Sequence, residues 1–253
     1  MNAFLQSVCD NYSEILSIVR PVNEKYAKKF GSEYVLHVGR QFVSYSVLGA
    51  ESRRHPAWNK MYSTLELLKS NKYEYVFFLD GDAVFIDDTR DIFKLTKLFP
   101  KKHLLICGDG VTVHKTMNKF LNVNTGAFLM KNTPEMIELL NKVIDYEETI
   151  LHTVRSWEQT AIQQIFYKEY SRYKDLVKVY HENYFNHEVG DWVFHACSPV
   201  HPETLEIFDR SKKDHRVIRG VKCDTSGFPL DKYVMRTNAQ KAEAIKAALS
   251  AAN

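Results

Sequence analysis

Hydrophobic positions along this chain alternate between short continuous runs and stretches spaced three and four residues apart. Phe4 to Val8 is an apolar run that predicts a strand, closed by the polar Asp10-Asn11-Tyr12-Ser13. From Glu14 to Phe30, the residues Ile15, Ile18, Val19, Val22, Tyr26 and Ala27 keep a helical period. Pro21 is expected to interrupt it and Gly31 to stop it. Tyr34 to Val38 predicts a second strand, and Trp58 to Lys69 a helix with Met61, Leu65 and Leu68 on one face. Tyr73 to Leu79, β-branched and aromatic, predicts a third strand that runs into Asp80. The order β-α-β-α-β before residue 80 predicts an α/β fold with a mostly parallel sheet covered by helices. Such sheets take ligands at the carboxyl ends of their strands, and Asp80 and Asp82 stand at one.

Beyond the acidic pair the same reading predicts a helix over Ile92 to Leu98 and strands over His103 to Cys107 and Thr125 to Met130. It then predicts helices over Pro134 to Ile144 and Glu158 to Tyr170, and strands over Leu176 to Tyr180 and Asp191 to Ala196. Residues 199–235, punctuated by Pro199, Pro202, Gly220 and Gly227-Phe228-Pro229, read as irregular. Ala239 to Ala252 reads as an Ala/Lys helix with Ala242, Ile245, Leu249 and Ala252 along one stripe. The organisation expected is one domain over residues 1–235 with a C-terminal helix, 236–253, packed on it.

Composition narrows the function little. A net charge of +3, with no dense Lys/Arg arm, gives no argument for nucleic acid and would suit a phosphate-bearing small ligand equally. Cys9, Cys107, Cys197 and Cys223 lie far apart without a Cys-x-x-Cys pair, which predicts isolated thiols rather than a zinc knuckle. No apolar run is long enough to span a membrane, and Met1 to Asp10 lacks the pattern of a signal peptide. The chain as written is expected in the cytoplasm, or else as a lumenal catalytic domain trimmed of its anchor.

The chemistry centres on Phe77-Phe78-Leu79-Asp80-Gly81-Asp82-Ala83-Val84-Phe85. Carboxylates at i and i+2 across a glycine can both face one hard cation, and such a cation neutralises a departing diphosphate. Asp-Gly-Asp is also good turn chemistry. Asp-x-Asp after an apolar strand further matches the nucleophile motif of haloacid-dehalogenase-like phosphatases, in which Asp80 would attack phosphate. Against that stand the complete β-α-β-α before the motif and the absence of an obvious later acidic pair. A non-catalytic carbohydrate-binding protein is a third alternative, although it has no need of this acidic pair at a strand end.

Other segments offer groups to the same site. Lys60, near the start of a helix, could meet phosphate oxygens as a point charge. Asn124 and Thr125 offer an amide and a hydroxyl just before Gly126, whose missing side chain permits close approach of a sugar. Glu158 and Gln159 open a helix and could be presented to a sugar ring. A lone histidine such as His195 is by itself more often a core or surface residue than a ligand.

Together these segments resemble glycosyltransferase family 34, galactosyl-, mannosyl- and xylosyltransferases with a GT-A fold. His55-x-x-Trp58-x-Lys60 is similar to the family's Trp-x-Lys segment, and Phe78-Leu79-Asp80-Gly81-Asp82-Ala83 to its Asp-x-Asp motif. Asn122-x-Asn124-Thr125-Gly126-Ala127-Phe128-Leu129 resembles its Asn-Thr-Gly strand, and Glu158-Gln159-x-Ala161 its acidic-Gln segment. Asn23-x-x-Tyr26-Ala27 and Phe194-His195 with Cys197 also fit, so that the likeness covers about residues 4–210. The chain departs from the pattern at Trp157, Ala196 and Ser198-Pro199.

The resemblance implies transfer of a hexosyl or pentosyl unit from a UDP- or GDP-sugar to a glycan or glycoside hydroxyl, with retention of configuration. It implies Mn²⁺ or Mg²⁺ on Asp80, Asp82 and His195, with His201 as a nearby reserve ligand. Asp82 is expected as the more direct ligand, with Asp80 reaching the ribose or binding the metal through water. The resemblance places Glu158 and Gln159 opposite the anomeric carbon, and Tyr12 is expected to stack on the base.

Overall fold

The computed structural model describes residues 1–9, 12–39, 44–47, 50–53, 56–108, 123–146, 157–181, 184–187, 192–196 and 237–252. Strands β1 (Asn2–Val8), β2 (Glu33–Val38) and β5 (Tyr75–Asp80) are separated by helices α1 (Ser13–Lys29) and α2 (Asn59–Lys69). A hairpin of β3 (Ser44–Val47) and β4 (Ala50–Arg53), which the apolar pattern does not predict, lies between β2 and α2. The second half adds β6 (Ala83–Phe85), α3 (Leu95–Leu98), β7 (Leu104–Gly108), β8 (Val123–Lys131) and α4 (Pro134–Ile144). It continues with α5 (Trp157–Lys168), α6 (Tyr170–Tyr173), β9 (Val177–Tyr180), β10 (Val193–His195) and α7 (Asn238–Ala252).

Six strands form the main sheet in the order β2-β1-β5-β8-β7-β9. β1 pairs parallel with both β2 and β5, while β8 runs antiparallel between β5 and β7, and β7 is parallel to β9. The fold is therefore α/β with a mostly parallel sheet, as the sequence predicts, with one reversed strand. The order reverses at β1: the chain leaves it for β2 on one side and returns to β5 on the other. The carboxyl ends of β1 and β5 then flank the crevice where open α/β sheets bind ligands.

The continuous apolar runs follow from burial of both sheet faces. Val76 and Phe78 pack with α2, α4 and α5 on one side, while Phe77 and Leu79 pack with Tyr26, Phe85 and Trp192 on the other. The same alternation holds in β1, where Leu5 faces the first cluster and Phe4 the second, and in β8 with Phe128 and Leu129. Ile15 and Val19 of α1 join Val84, Ala196, Ala242 and Ile245 in a third cluster, which seats α7.

Helix α1 runs unbroken through Pro21, contrary to the expected interruption. Pro21 lies on the exposed face, while Ile15, Val19, Asn23, Tyr26 and Ala27 hold the buried face on either side of it. Packing along that stripe outweighs the loss of one helical hydrogen bond. In α7, Ala242 and Ile245 are buried as the stripe predicts and Ala252 is exposed, while Lys241 is buried as well. The segment 199–235 lies outside the described residues.

A buried polar network fixes the turn after β5. Asn23 donates from Nδ2 to Ala83 O (3.0 Å) and to Gln6 Oε1 (3.1 Å), and its Oδ1 accepts from Phe85 N (3.1 Å). Gln6 Nε2 donates to Asp80 O (3.1 Å) and Ala83 O (3.3 Å), and Tyr34 donates its hydroxyl proton to Gln6 Oε1 (2.8 Å). Both amides are fully buried, so each bond replaces one that water would otherwise make. Asn23→Ala strands Phe85 N and weakens the hold on Ala83 O. It should destabilise the protein by about 2–4 kcal/mol in urea unfolding, whereas a merely filled niche would cost about 1 kcal/mol or less.

Candidate active site

The turn between β5 and β6 carries Asp80-Gly81-Asp82. Gly81 is needed for a close approach rather than for a left-handed backbone. A Cβ there would stand 2.3 Å from Val8 Cγ1, so the turn lies directly on the end of β1. β6 then pairs antiparallel with β10, setting His195 opposite Ala83, and Ala196 N donates to Asp82 O at 3.0 Å. This pairing brings a histidine from far along the chain to the acidic pair. One ligand atom from each of Asp80, Asp82 and His195 lies within 4.8 Å of the others.

The partners of His195 define its tautomer. Asn124 Oδ1 accepts from Gly126 N and from Asn186 Nδ2, each at 2.8 Å. The other end of the Asn186 amide, Oδ1, therefore turns to His195 Nδ1 at 2.7 Å, and the ring must donate there. In the neutral ring Nε2 then carries a lone pair, aimed at Asp82 Oδ1 (3.2 Å) and Asp80 Oδ2 (3.8 Å). A lone pair facing two carboxylates is repulsive unless a cation stands among them, either a second ring proton or a metal ion. Two carboxylates and an imidazole oriented by an amide make a donor set suited to Mn²⁺ or a similar divalent ion. The site residues fit that group.

Gly126 belongs to this arrangement. A Cβ there would lie 2.5 Å from His195 Cε1 and 2.8 Å from Asn186 Oδ1, so the space the glycine leaves is taken by those two side chains. Thr125 sits beside it in β8. Its hydroxyl donates to Glu158 Oε1 at 2.8 Å, and its backbone N–H donates to Gln159 Oε1 at 3.1 Å. The first turn of α5 is thereby fastened to β8, with Glu158 and Gln159 held together at the site.

Lys60 enters from α2. Its buried ammonium meets Asp80 Oδ1 at 2.8 Å and Glu158 Oε1 at 3.2 Å, and donates to Thr125 O at 3.4 Å. Burial alone would lower its pKa, but the charges of Asp80 and Glu158 prevail and raise it, so it stays an ammonium. Glu158 is the counterpart. Burial raises its pKa while Lys60 opposes the shift, and its Oε2 is buried with no hydrogen-bond partner.

Asp82 is 8 % exposed in its side chain and lies between His195 and a buried lysine. His195 Nε2 approaches Oδ1, and Lys241 from α7 forms a close ion pair with Oδ2. Burial would raise the Asp82 pKa, but the hydrogen bond and charge of His195, with the charge of Lys241, outweigh it and hold the group well below the usual carboxylate range. Lys241 also donates to Tyr12 OH at 3.4 Å, and Tyr12 is pushed up to about 12 by the charge of Asp82 and by burial.

Tyr12, Lys60, Asp80, Asp82, Asn124, Thr125, Gly126, Glu158, Gln159 and His195, all named from sequence, thus lie in one contiguous network. Asn11, His55, Asn122, Cys197 and His201 lie outside the described residues. Two participants escaped the sequence reading. Asn186 has no motif of its own, and only its contact with His195 reveals it. Lys241 carried a usable signal, a lysine four residues before Ile245 on the apolar face of an Ala-rich helix.

Comparison with known proteins places this geometry. The family model for nucleotide-diphospho-sugar transferases matches residues 31–220. No curated protein matches the chain in sequence. Among solved structures, a glycosyltransferase involved in glycosylation of the major capsid of PBCV-1 superposes with a TM-score of 0.55 at 12% identity, over 82% of this chain and 98% of that one. The galactosyltransferase LgtC, in complex with donor and acceptor sugar analogs, gives 0.42 at 16% identity, over 89% of this chain and 99% of that one. The glycosyltransferase GlyE of Streptococcus pneumoniae TIGR4 gives 0.46 at 12% identity, over 98% of this chain and 62% of that one. At 12% identity the PBCV-1 glycosyltransferase speaks for the fold alone, which is of the GT-A type, and neither the phosphatase nor the carbohydrate-binding alternative is favoured. The match over residues 31–220, far more than half of the 253, makes this chain a member of the nucleotide-diphospho-sugar transferase family.

Proposed function

We propose that the protein is a metal-dependent, retaining glycosyltransferase that moves a hexosyl or pentosyl unit from a UDP- or GDP-sugar to a hydroxyl of a glycan or glycoside. The observation that carries this reading is the cluster of Asp80, Asp82 and His195 at the strand-order reversal, with the histidine lone pair turned inward by Asn186. Bound there, Mn²⁺ or Mg²⁺ supplies charge against a diphosphate leaving group. The resemblance to glycosyltransferase family 34 supports the retaining outcome and the choice of sugars.

The chain's own groups divide the remaining work. Asp82 and His195 hold one face of the cation site, Asp80 reaches it with Oδ2, 3.8 Å from His195 Nε2, and Lys60 holds the other oxygen of Asp80. Lys60 keeps Asp80 and Glu158, two like charges, together in a buried place. Glu158 offers Oε2 as an acceptor and its charge as a stabiliser for positive character at an anomeric carbon. Gln159, fixed by Thr125 N, places its amide on the same side. Tyr12 stands at the carboxyl end of β1, where a base can stack on its ring. Transfer on one face then depends on positioning and electrostatics, and no protein nucleophile is required.

Three measurements test the reading. UDP- and GDP-sugars incubated with Mn²⁺ should release nucleoside diphosphate with at least one donor, and EDTA should abolish the release. Absence of release from every donor, with or without acceptors, overturns the assignment. Asp82→Asn should lower kcat/KM by about 100-fold or more, because the carboxylate acts where charge develops. Asn186→Ala frees the imidazole to rotate and should weaken Mn²⁺ binding by about 10- to 100-fold in an EPR titration. Unchanged binding in that variant would mean that Asn186 does not orient the ligand.

A further inference from the structure

Helix α7 buries Lys241, Ala242 and Ile245 and leaves most of its other side chains in water. Ala242 and Ile245 account for the seam against α1, where Ile15 and Val19 receive them. An apolar residue at position 241 would serve that seam as well, yet the position holds an ammonium at 7% exposure. Burying a charge is unfavourable unless a partner repays it, and here the partner is Asp82 Oδ2, with Tyr12 OH as a second acceptor at 3.4 Å.

Asp82 is also the centre of the cation cluster. Its Oδ1 faces His195 Nε2 at 3.2 Å, while its Oδ2 is taken by Lys241. A divalent ion among Asp80, Asp82 and His195 and the ammonium of Lys241 therefore draw on one carboxylate from opposite oxygens. Two cations at such a separation in a mostly buried place repel each other strongly. A diphosphate changes the balance, because its oxygens bring negative charge to the same spot. A lysine on a flexible four-carbon stem can turn from Asp82 to a phosphate oxygen without moving its helix.

We propose that Lys241 is a built-in counter-ion of Asp82 that competes with the divalent cation and is handed over to the diphosphate of the donor. Metal and nucleotide then load together, each raising the affinity for the other, and α7 is the element that couples them. This rests on the assignment of Asp80, Asp82 and His195 as a metal site. Positive coupling of this kind is reciprocal, so it can be read from either ligand.

The test is an EPR titration of Mn²⁺, alone and with saturating UDP or GDP, on the full chain and its variants. K241M should bind Mn²⁺ alone roughly tenfold more tightly than the unaltered protein, and the gain that nucleotide confers on Mn²⁺ should shrink by a similar factor. K246M removes the same charge from the exposed face of α7, where Lys246 pairs with Glu243, and should behave as the unaltered protein. K241R keeps the charge and should keep the weaker Mn²⁺ affinity. Equal or weaker Mn²⁺ binding in K241M overturns the proposal, as does a gain shared by K241R, which would trace to packing. If neither the unaltered protein nor K241M binds Mn²⁺, the metal site itself falls, an outcome distinct from equal binding by both.

Discussion

The Asp82 carboxylate draws into one buried cluster an imidazole 113 residues further along the chain and an ammonium 159 residues further along. β10 supplies the first and α7 the second, and neither element touches the acidic pair by sequence proximity. A carboxylate so little exposed is tolerable only while charge and hydrogen-bond partners surround it, so the docking of β10 and α7 and the ionisation of Asp82 are aspects of one constraint. The Asp80-Gly81-Asp82 turn is held from beneath by Gln6 and Asn23 and from the side by Val8, so it arrives at that cluster already shaped.

The reversed strand β8 makes the second half of the site. By running antiparallel between β5 and β7, it brings Asn124, Thr125 and Gly126 to the end of the sheet where Asp80 leaves β5. From there Thr125 captures Glu158 and Gln159, Asn124 captures Asn186, and Gly126 gives the imidazole its space. Three consecutive residues thus fix an acid, an amide and a metal-type ligand by different means. A substitution at any of them propagates to groups more than thirty residues away, since the contacts of Thr125 with Glu158 and Gln159 span 33 and 34 positions.

The elements legible in the sequence were those whose apolar period is set by burial on a regular face. The continuous β-branched and aromatic run from Tyr73 to Leu79 predicts β5, and Pro134 to Ile144 is read to its boundaries because its amphipathic stripe is complete. The course of α1 through Pro21 was not legible, since its cause is packing against other elements rather than the helix itself. The acidic pair declared itself by two carboxylates at a strand end. Asn186 did not, because its role exists only once β10 is in place and a solitary Asn carries no spacing to read, while Lys241 stood out on the apolar stripe of α7 without its partner Asp82 being legible.

Charge ties these observations to catalysis. Among the described residues, Asp80, Asp82 and Glu158 face Lys60 and Lys241, which leaves one negative charge in excess when His195 is neutral. On the proposed metal assignment, a divalent cation would reverse the sign of that excess, and a positive buried site attracts a diphosphate. The buried ammoniums cannot supply this alone, since each is matched to a carboxylate at close range. On the proposed metal assignment, the opposite charges of metal and diphosphate would make each favour the binding of the other. On the same assignment, the negative excess of the empty cluster would disfavour a phosphate that arrives without its cation.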